Sequence, residues 1–142
     1  ALYGDDRVPD TMDGRFELMT LHAVLALMRL QREDGAEALA QSFTDKLFHL
    51  FDSGLREAGT GDTAVPKRMS QMAGAFYGRL KAYAAEIDRD GPALEEALSR
   101  NVWRAERHAF AAPLARYVVN IVAMQRQAPI SAMFNDQGWP SL

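Results

Sequence analysis

The sequence has 142 residues, of which 48% are hydrophobic and 25% are charged, and its net charge is −3. A chain of this length and composition can bury a hydrophobic core as one domain. The absence of cysteine excludes disulfides, thiolate zinc sites and cysteine nucleophiles, and no apolar run reaches the roughly 18 to 20 residues of a membrane span.

The charge is distributed unevenly along the chain. Residues 1–62 carry 12 acidic and 6 basic residues, a net charge of −6, whereas residues 63–142 carry 7 acidic and 10 basic residues, a net charge of +3. Such an asymmetry fits an acidic face and a basic face that steer a partner, or two faces that are merely solvated.

Two helices are predicted in the first part of the chain. The first runs from Thr11 to about Glu33, with Thr11 or Asp13 as its N-cap. The sequence Asp34-Gly35-Ala36-Glu37 predicts a break, with Asp34 capping the second helix. The second helix ends at Ala58-Gly59, because glycine suits the left-handed position that follows a helix. Its apolar stripe consists of Leu39, Phe43, Leu47, Leu50, Phe51 and Leu55.

Three further helices follow. The third begins near Pro66, is capped by Thr63 or Asp62, and runs to about Asp88 or Arg89. Asp90-Gly91-Pro92 predicts a second break, followed by a shorter helix that reaches Trp103. The fifth helix has Pro113 in its first turn and carries Leu114, Tyr117, Val118, Ile121 and Val122. A short helical turn is predicted through Met133 and Phe134.

No segment shows the period-two alternation of a strand. The sequence therefore predicts an all-α fold, a single-domain bundle of about five to seven helices spanning residues 1–142. Residues 1–10 are predicted to form an extended N-terminal arm and residues 128–142 a loosely ordered C-terminal tail.

The glycine-rich stretch from Leu55 to Met69 raises the question of a phosphate-binding loop. Such loops usually follow a strand and open a helix. This stretch follows a predicted helix, lacks Gly-Lys-Ser/Thr, and contains Asp62, whose charge opposes a phosphate. A capped connection between two helices is the better interpretation.

Catalytic and metal-binding signatures are missing from the sequence. His22, His49 and His108 lie on separate predicted helices without a His-Glu-x-x-His pattern, and neither Gly-x-Ser-x-Gly nor Ser-x-x-Lys occurs. We therefore expect no catalytic residue, no metal site and no cofactor.

Two kinds of binding surface are compatible with the sequence. Lys67-Arg68 and Arg79-Lys81 form basic clusters on the third helix, and Arg100, Arg104 and Arg107 are predicted to share one helix face beside Trp103. These residues could bind RNA phosphates or an acidic protein, or they could pair with neighbours such as Glu96. The seven methionines could line an adaptable groove, or they could fill the core. They include Met19, Met28, Met69, Met72 and Met124.

The ordered motifs of the chain resemble those of the ubiquinol–cytochrome c chaperone family over about residues 3–104. The similar segments are Asp10-Thr11-Met12-Asp13-Gly14-Arg15-Phe16-Glu17, Leu21-His22, Arg29-Leu30, Leu55-Arg56-Glu57-Ala58-Gly59-Thr60-Gly61-Asp62, Val65-Pro66-Lys67-Arg68-Met69, Phe76-Tyr77-Gly78-Arg79 and Ala82-Tyr83. The resemblance implies a non-catalytic factor that binds newly synthesised cytochrome b and promotes assembly of the ubiquinol–cytochrome c reductase complex.

The same resemblance implies the partners and the binding residues. The partners would be cytochrome b and, by analogy with mitochondrial members, a small partner protein or the ribosome; DNA is not expected. The chain has the character of a bacterial member, and we expect a cytoplasmic protein, with peripheral association at the inner face of the cytoplasmic membrane as a further option. The implied partner-binding residues are Asp62, Lys67, Arg68, Tyr77, Gly78, Arg79 and Tyr83.

Each of these residues also has a structural interpretation, such as capping by Asp62, close helix packing at Gly78 and core packing by Tyr83. Two other functions compete with the chaperone. An RNA- or ribosome-binding adaptor would use the basic residues, and an enzyme would need perturbed carboxylates in a deep cleft.

Overall fold

The fold is a helical bundle. The computed structural model describes residues 1–89, 92–135 and 138–139, and these ranges contain five α-helices, one 3₁₀ helix and no strand. The helices are α1 (Met12–Gln31), α2 (Glu37–Glu57), α3 (Val65–Ile87), α4 (Ala93–Trp103) and α5 (Ala111–Gln127), and the 3₁₀ helix is Ile130–Phe134. The prediction of an all-α, single-domain bundle is confirmed.

Helix α1 is the centre of the bundle, since it contacts the other four α-helices and the 3₁₀ helix. The predicted cap is present, because the hydroxyl of Thr11 accepts a hydrogen bond from the N–H of Gly14 at 3.1 Å. Gly14 is also required sterically, since a Cβ at this position would lie 2.0 Å from the carbonyl oxygen of Pro9. The start of the central helix is therefore fixed by the chain that precedes it.

An aromatic cluster joins the first three helices. The ring centroids of Phe16 and Phe51 are 5.6 Å apart, and the ring of Phe48 lies 5.8 Å from Phe76 and 5.9 Å from Tyr77. Offset and edge-to-face pairs at these distances stabilise a core beyond the burial of their area. The other half of the core contains buried residues of α4 and α5, namely Leu94, Leu98, Leu114, Val118 and Ile121.

The connection between α2 and α3 is built differently from the prediction at one of its two ends. Gly59 ends α2 with φ +86, and Pro66 lies in the first turn of α3, both as predicted. The cap predicted for α3 is wrong, because Ala64 occupies the N-cap position without a side-chain hydrogen bond. Asp62 instead accepts a hydrogen bond from Arg56 at 2.7 Å.

The cap predicted for α2 is wrong for a similar reason. Ala36 stands at the N-cap position of α2, and no side chain accepts a hydrogen bond there, so Asp34 does not cap the helix. The backbone forms the turn instead, with the N–H of Ala36 donating to the carbonyl of Glu33 at 3.2 Å.

The predicted basic stripe on the fourth helix does not form. Helix α4 ends at Trp103, and Arg104 adopts a left-handed conformation with φ +53. The side chain of Arg104 is directed to Asp13, at 3.1 Å, while Arg107 lies beyond the helix. Arg100, Arg104 and Arg107 therefore do not share a helix face, although the predicted pairing of Arg100 with Glu96 is present at 3.9 Å.

The N-terminal segment folds back on itself, in contrast to the extended arm expected for residues 1–10. The N–H of Val8 donates to the carbonyl of Leu2 at 3.2 Å, and Val8 is fully buried. The indole N–H of Trp103 donates to the carbonyl of Arg7 at 3.0 Å. This segment therefore packs against the end of α4.

The described part of the C-terminal segment packs against the core. Met133 is buried, and its carbonyl accepts a hydrogen bond from the indole of Trp139 at 2.9 Å. The ring of Trp139 lies 5.6 Å from that of His22 on α1. Residues 136, 137 and 140–142 lie outside the described residues, as do Asp90 and Gly91 of the predicted second break.

No helix in the described part of the chain combines the length and the apolar character needed to cross a membrane.

Candidate functional site

The seven predicted binding residues occupy three kinds of position around α3. Lys67, Arg68, Tyr77 and Gly78 are exposed on this helix, Arg79 and Tyr83 are directed toward the bundle, and Asp62 lies in the loop before the helix. We call the exposed side formed by Lys67, Gly74, Tyr77, Gly78 and Lys81 the α3 face. Spacings of three, four and seven residues relate these positions, as they do for residues on one side of a helix.

The α3 face is basic and carries one large aromatic side chain. Lys67, Lys81 and the neighbouring Arg68 form no ion pair with any described residue. Tyr77 is 47% exposed, although one side of its ring contacts Phe48. A tyrosine with an anchored ring and an exposed edge loses little conformational freedom when a partner binds.

Two glycines leave the middle of the α3 face bare. A Cβ at Gly74 or at Gly78 would meet no atom within 4 Å, so packing inside this chain does not require glycine at either position. Glycine in a helix interior costs about 1 kcal/mol relative to alanine. The exposed backbone would instead allow a partner helix to approach closely, as small residues at helix interfaces do.

Arg79 is held in an ion pair inside the bundle. Its Nε lies 2.6 Å from Oε2 of Glu17 and its Nη2 lies 2.5 Å from Oε1, while Nη1 donates to the carbonyl of Ala75 at 3.2 Å. The side chains of Arg79 and Glu17 are only 16% and 10% exposed. The guanidinium thus binds α3 to α1, and little of it remains accessible to a partner.

Tyr83 is also buried, with 1% of its surface exposed. Burial raises the pKa of its hydroxyl to about 12, and the hydrogen bond with the Asn101 side chain opposes this shift. Glu17 and Arg79 act on the same hydroxyl through their charges. Tyr83 therefore completes a polar cluster that connects α1, α3 and α4.

Glu17 is the structural partner that the sequence reasoning did not assign. It is a buried acid on a helix whose inward side is otherwise largely apolar, and Arg79 is a cation on the inward side of α3. A buried charge needs a counterion. The sequence could therefore have predicted this ion pair, because it places opposite charges on the apolar stripes of two helices.

Asp62 is exposed and fixes the loop before α3. Its side chain is 90% exposed and pairs with Arg56, which also binds Asp52 at 2.8 Å. The Arg56 hydrogen bond holds the pKa of Asp52 below its usual value. This exposed arrangement connects the end of α2 to the loop that leads to the α3 face.

The methionines do not form one groove. Met28 is buried, and Met69 and Met72 are partly buried against the core. Met19 and Met124 are 42% and 37% exposed, but they lie on two different helices, α1 and α5. Core packing is therefore the better account for the three inner residues.

The described residues contain no group of three or more His, Cys, Asp or Glu side chains that could hold a metal ion. His22 is directed inward, where its Nδ1 donates to the carbonyl of Leu18 at 2.7 Å and its Nε2 accepts from the hydroxyl of Tyr117 at 2.9 Å. Burial lowers the pKa of the imidazole. The geometry gives His22 a packing role between α1, α5 and Trp139.

Comparison with known proteins extends the resemblance that the sequence motifs carry. The chain matches the ubiquinol-cytochrome C chaperone family over residues 5–137, so the match continues beyond the motifs of the first 104 residues through α5 and the 3₁₀ helix. No curated protein and no solved structure gives a significant match. Since the family match covers nearly the whole chain, the protein belongs to the ubiquinol-cytochrome C chaperone family, and a chaperone role follows from that membership.

Proposed function

We propose that this protein is a non-catalytic assembly chaperone that binds newly synthesised cytochrome b and promotes assembly of the ubiquinol–cytochrome c reductase complex. The observation that carries the proposal is the family match over residues 5–137. Such a factor would act at the cytoplasmic side of the membrane, in peripheral contact with it, where the client is inserted.

The α3 face is the proposed contact surface for the client. Transmembrane helices associate through small residues that let backbones approach, and Gly74 and Gly78 offer such a contact on the chaperone side. Tyr77 adds an aromatic anchor, and Lys67 and Arg68 add unpaired positive charge at one end. Arg79 and Tyr83 contribute from inside by fixing the orientation of α3, and Asp62 by fixing the loop before it.

The deletion strain gives the first test of this function. Loss of the gene should deplete cytochrome b and the assembled reductase while other respiratory complexes stay at normal levels. Normal cytochrome b in that strain would overturn the proposal.

A charge reversal tests the surface separately from the function. Lys67→Glu with Arg68→Glu should fail to restore cytochrome b, because it reverses the charge of the proposed contact surface. The fold should persist, because both side chains are exposed and form no ion pair with a described residue. Arg107→Glu with Arg116→Glu is the matched control, since these arginines are also exposed and form no ion pair with a described residue. Equal rescue by both variants would reject the α3 face while leaving the function intact.

A helical adaptor for RNA or the ribosome is the second candidate, and it is favoured by Lys67, Arg68 and Lys81, which form no ion pair with a described residue. The dispersal of Arg100, Arg104 and Arg107 removes the stripe that was expected to extend this surface. RNA binding would weaken steeply with salt because it releases counterions. Binding to apolar cytochrome b segments would persist in salt, so a titration of both ligands separates the two functions.

A further inference from the structure

A cavity of about 330 Å³ opens between the C-terminal end of α1, the N-terminal end of α2 and the middle of α3. We call it the acidic pocket, defined by Leu27, Leu30, Glu33, Glu37, Ala40 and Tyr77. Its volume lies near the lower limit of small-ligand sites, which is roughly 300 Å³. The acidic pocket is therefore large enough for one or two side chains and too small for a large cofactor.

One of the two carboxylates at the acidic pocket has no counterion among the described residues. Glu33 pairs with Arg29 at 2.6 Å and is compensated by it, and this guanidinium also donates to the carbonyls of Gln125 and Ala128, at 2.8 and 3.3 Å. Glu37 is exposed and pairs with no cation among the described residues. The mouth of the cavity therefore keeps one uncompensated negative charge, that of Glu37.

The other nearby arginine does not supply the missing cation. Arg32 is directed to Asp88 at 3.1 Å, and the N-terminal half of the chain carries the excess of acidic residues. Glu33 and Glu37 both belong to residues 1–62, the part of the chain with the excess of acidic residues. A negatively charged ligand would be repelled from this region.

The lining combines three features that suit a long cationic side chain. Leu27, Leu30 and Ala40 can contact the methylene groups of such a side chain, which bury their stem on apolar surface. The exposed ring of Tyr77 can accept a cation on its face. The unpaired carboxylate of Glu37 can then pair with the ammonium or guanidinium group.

We propose that the acidic pocket binds a lysine or arginine side chain in a basic segment of a partner protein. This inference goes beyond the assembly function and does not depend on cytochrome b being that partner. Tyr77 connects the two surfaces, since it lines the pocket and also lies on the α3 face.

Peptide binding tests the acidic pocket directly. The probe is a short fluorescent peptide in which Lys and Arg alternate with Ala, and the reference is the same peptide with Gln at each basic position. Fluorescence anisotropy should show binding of the basic peptide alone. Glu37→Gln and Tyr77→Ala should each weaken it about three- to fivefold, as expected for loss of one exposed ion pair or one exposed cation–π contact.

Glu57→Gln is the matched control for charge. Glu57 is exposed at the opposite end of α2, about 30 Å away by helix rise, and the variant changes the net charge equally. It should leave peptide affinity within about twofold, and circular dichroism should show that all variants remain helical. Equal weakening by Glu57→Gln would overturn the proposal, because net charge would then explain binding.

Two further outcomes would also overturn the proposal. Equal binding of the Gln peptide would show that the basic side chains are not recognised. Displacement of the basic peptide by spermidine at equal concentration would assign the pocket to a free polyamine. The assignment stands if the basic peptide binds, the Gln peptide does not bind, and only the pocket variants weaken binding. That result would hold whatever the deletion strain shows about cytochrome b.

Discussion

At the residue scale, the cluster of Glu17, Arg79, Tyr83 and Asn101 shows how polar groups hold an apolar bundle in register. A buried ion pair adds less to stability than its contacts suggest, because both charges must be desolvated. The two short hydrogen bonds between Arg79 and Glu17 nevertheless require one relative position of α1 and α3 along their axes. We interpret the pair as a device that sets the orientation of α3 and therefore of its exposed face.

Breaking this pair should be strongly destabilising. Arg79→Ala should lower the free energy of unfolding by about 3–5 kcal/mol, because it leaves the carboxylate of Glu17 buried without a counterion. The double variant Glu17→Met with Arg79→Met should recover much of that loss, since no charge remains to be desolvated. Urea denaturation measures the free energy of unfolding of the single and the double variant. A loss below about 1 kcal/mol in Arg79→Ala would contradict the buried pair.

A second prediction at this scale concerns His22 and pH. Burial depresses the pKa of the folded-state imidazole below the unfolded value of 6.5, so the unfolded chain binds the proton more readily. The stabilisation from neutral His22 is complete above pH 6.5 and is lost as the pH falls below it. Wild-type stability should therefore fall more steeply with acidification than that of His22→Asn, as measured by urea denaturation across this range. Parallel profiles of stability against pH for the wild type and His22→Asn would contradict this prediction.

At the element scale, the sequence predicted the helices well because their apolar stripes are regular. The Thr11 cap, the Gly59 stop and the early Pro66 were also predicted, since each depends on a local backbone preference. Asp62 was assigned wrongly as a cap because a carboxylate has competing partners, whereas Asp34 lies two residues before Ala36, which occupies the N-cap position of α2. Arg56 binds Asp62, and the N–H of Ala64 is already used by the carbonyl of Gly61 at 2.8 Å.

The positions of side chains around the candidate site likewise depend on contacts that the local sequence does not indicate. The arginine stripe was predicted by extending α4, but Arg104 is left-handed, a conformation that sequence does not indicate for a residue other than Gly or Asn. Whether Arg79 and Tyr83 are directed inward depends on tertiary pairing with Glu17 and Asn101. Helical spacing places residues on one face of a helix but does not identify the element that packs against this face, so it cannot predict these pairings.

The glycines of the α3 face give a prediction at the element scale. Gly78→Ala should raise the free energy of unfolding by about 1 kcal/mol, because the space around its Cβ is open and helix propensity improves. The same change should weaken binding to cytochrome b segments if α3 is the contact surface.

Gly54→Ala on α2 is the control for this experiment. A Cβ at Gly54 also meets no atom within 4 Å, so the variant should gain similar stability without losing client binding. Thermal unfolding and a binding titration on the three proteins separate the two effects. If Gly78→Ala and Gly54→Ala bind the client equally well, the α3 face is not the contact.

At the scale of the whole molecule, the fold depends on one helix. Buried residues of α1 belong to the same hydrophobic cluster as residues of α2, α3, α4 and α5. Val8 of the N-terminal segment is part of that cluster, and Trp139 packs against it. A core shared in this way favours unfolding as one cooperative unit, because neither end of the chain can leave without exposing α1.

The two tryptophans can test that cooperativity at opposite ends of the chain. Trp103 reports on the N-terminal segment through its bond to Arg7, and Trp139 reports on the C-terminal segment through His22. The chain contains two tryptophans, so Trp103→Phe and Trp139→Phe each leave one probe. In each variant, the fluorescence and far-ultraviolet dichroism transitions in urea should coincide. If the Trp139 signal changes at lower urea than the helical signal of the same variant, the C-terminal segment is a separate, weaker unit, and the single cooperative core must be limited to the five helices.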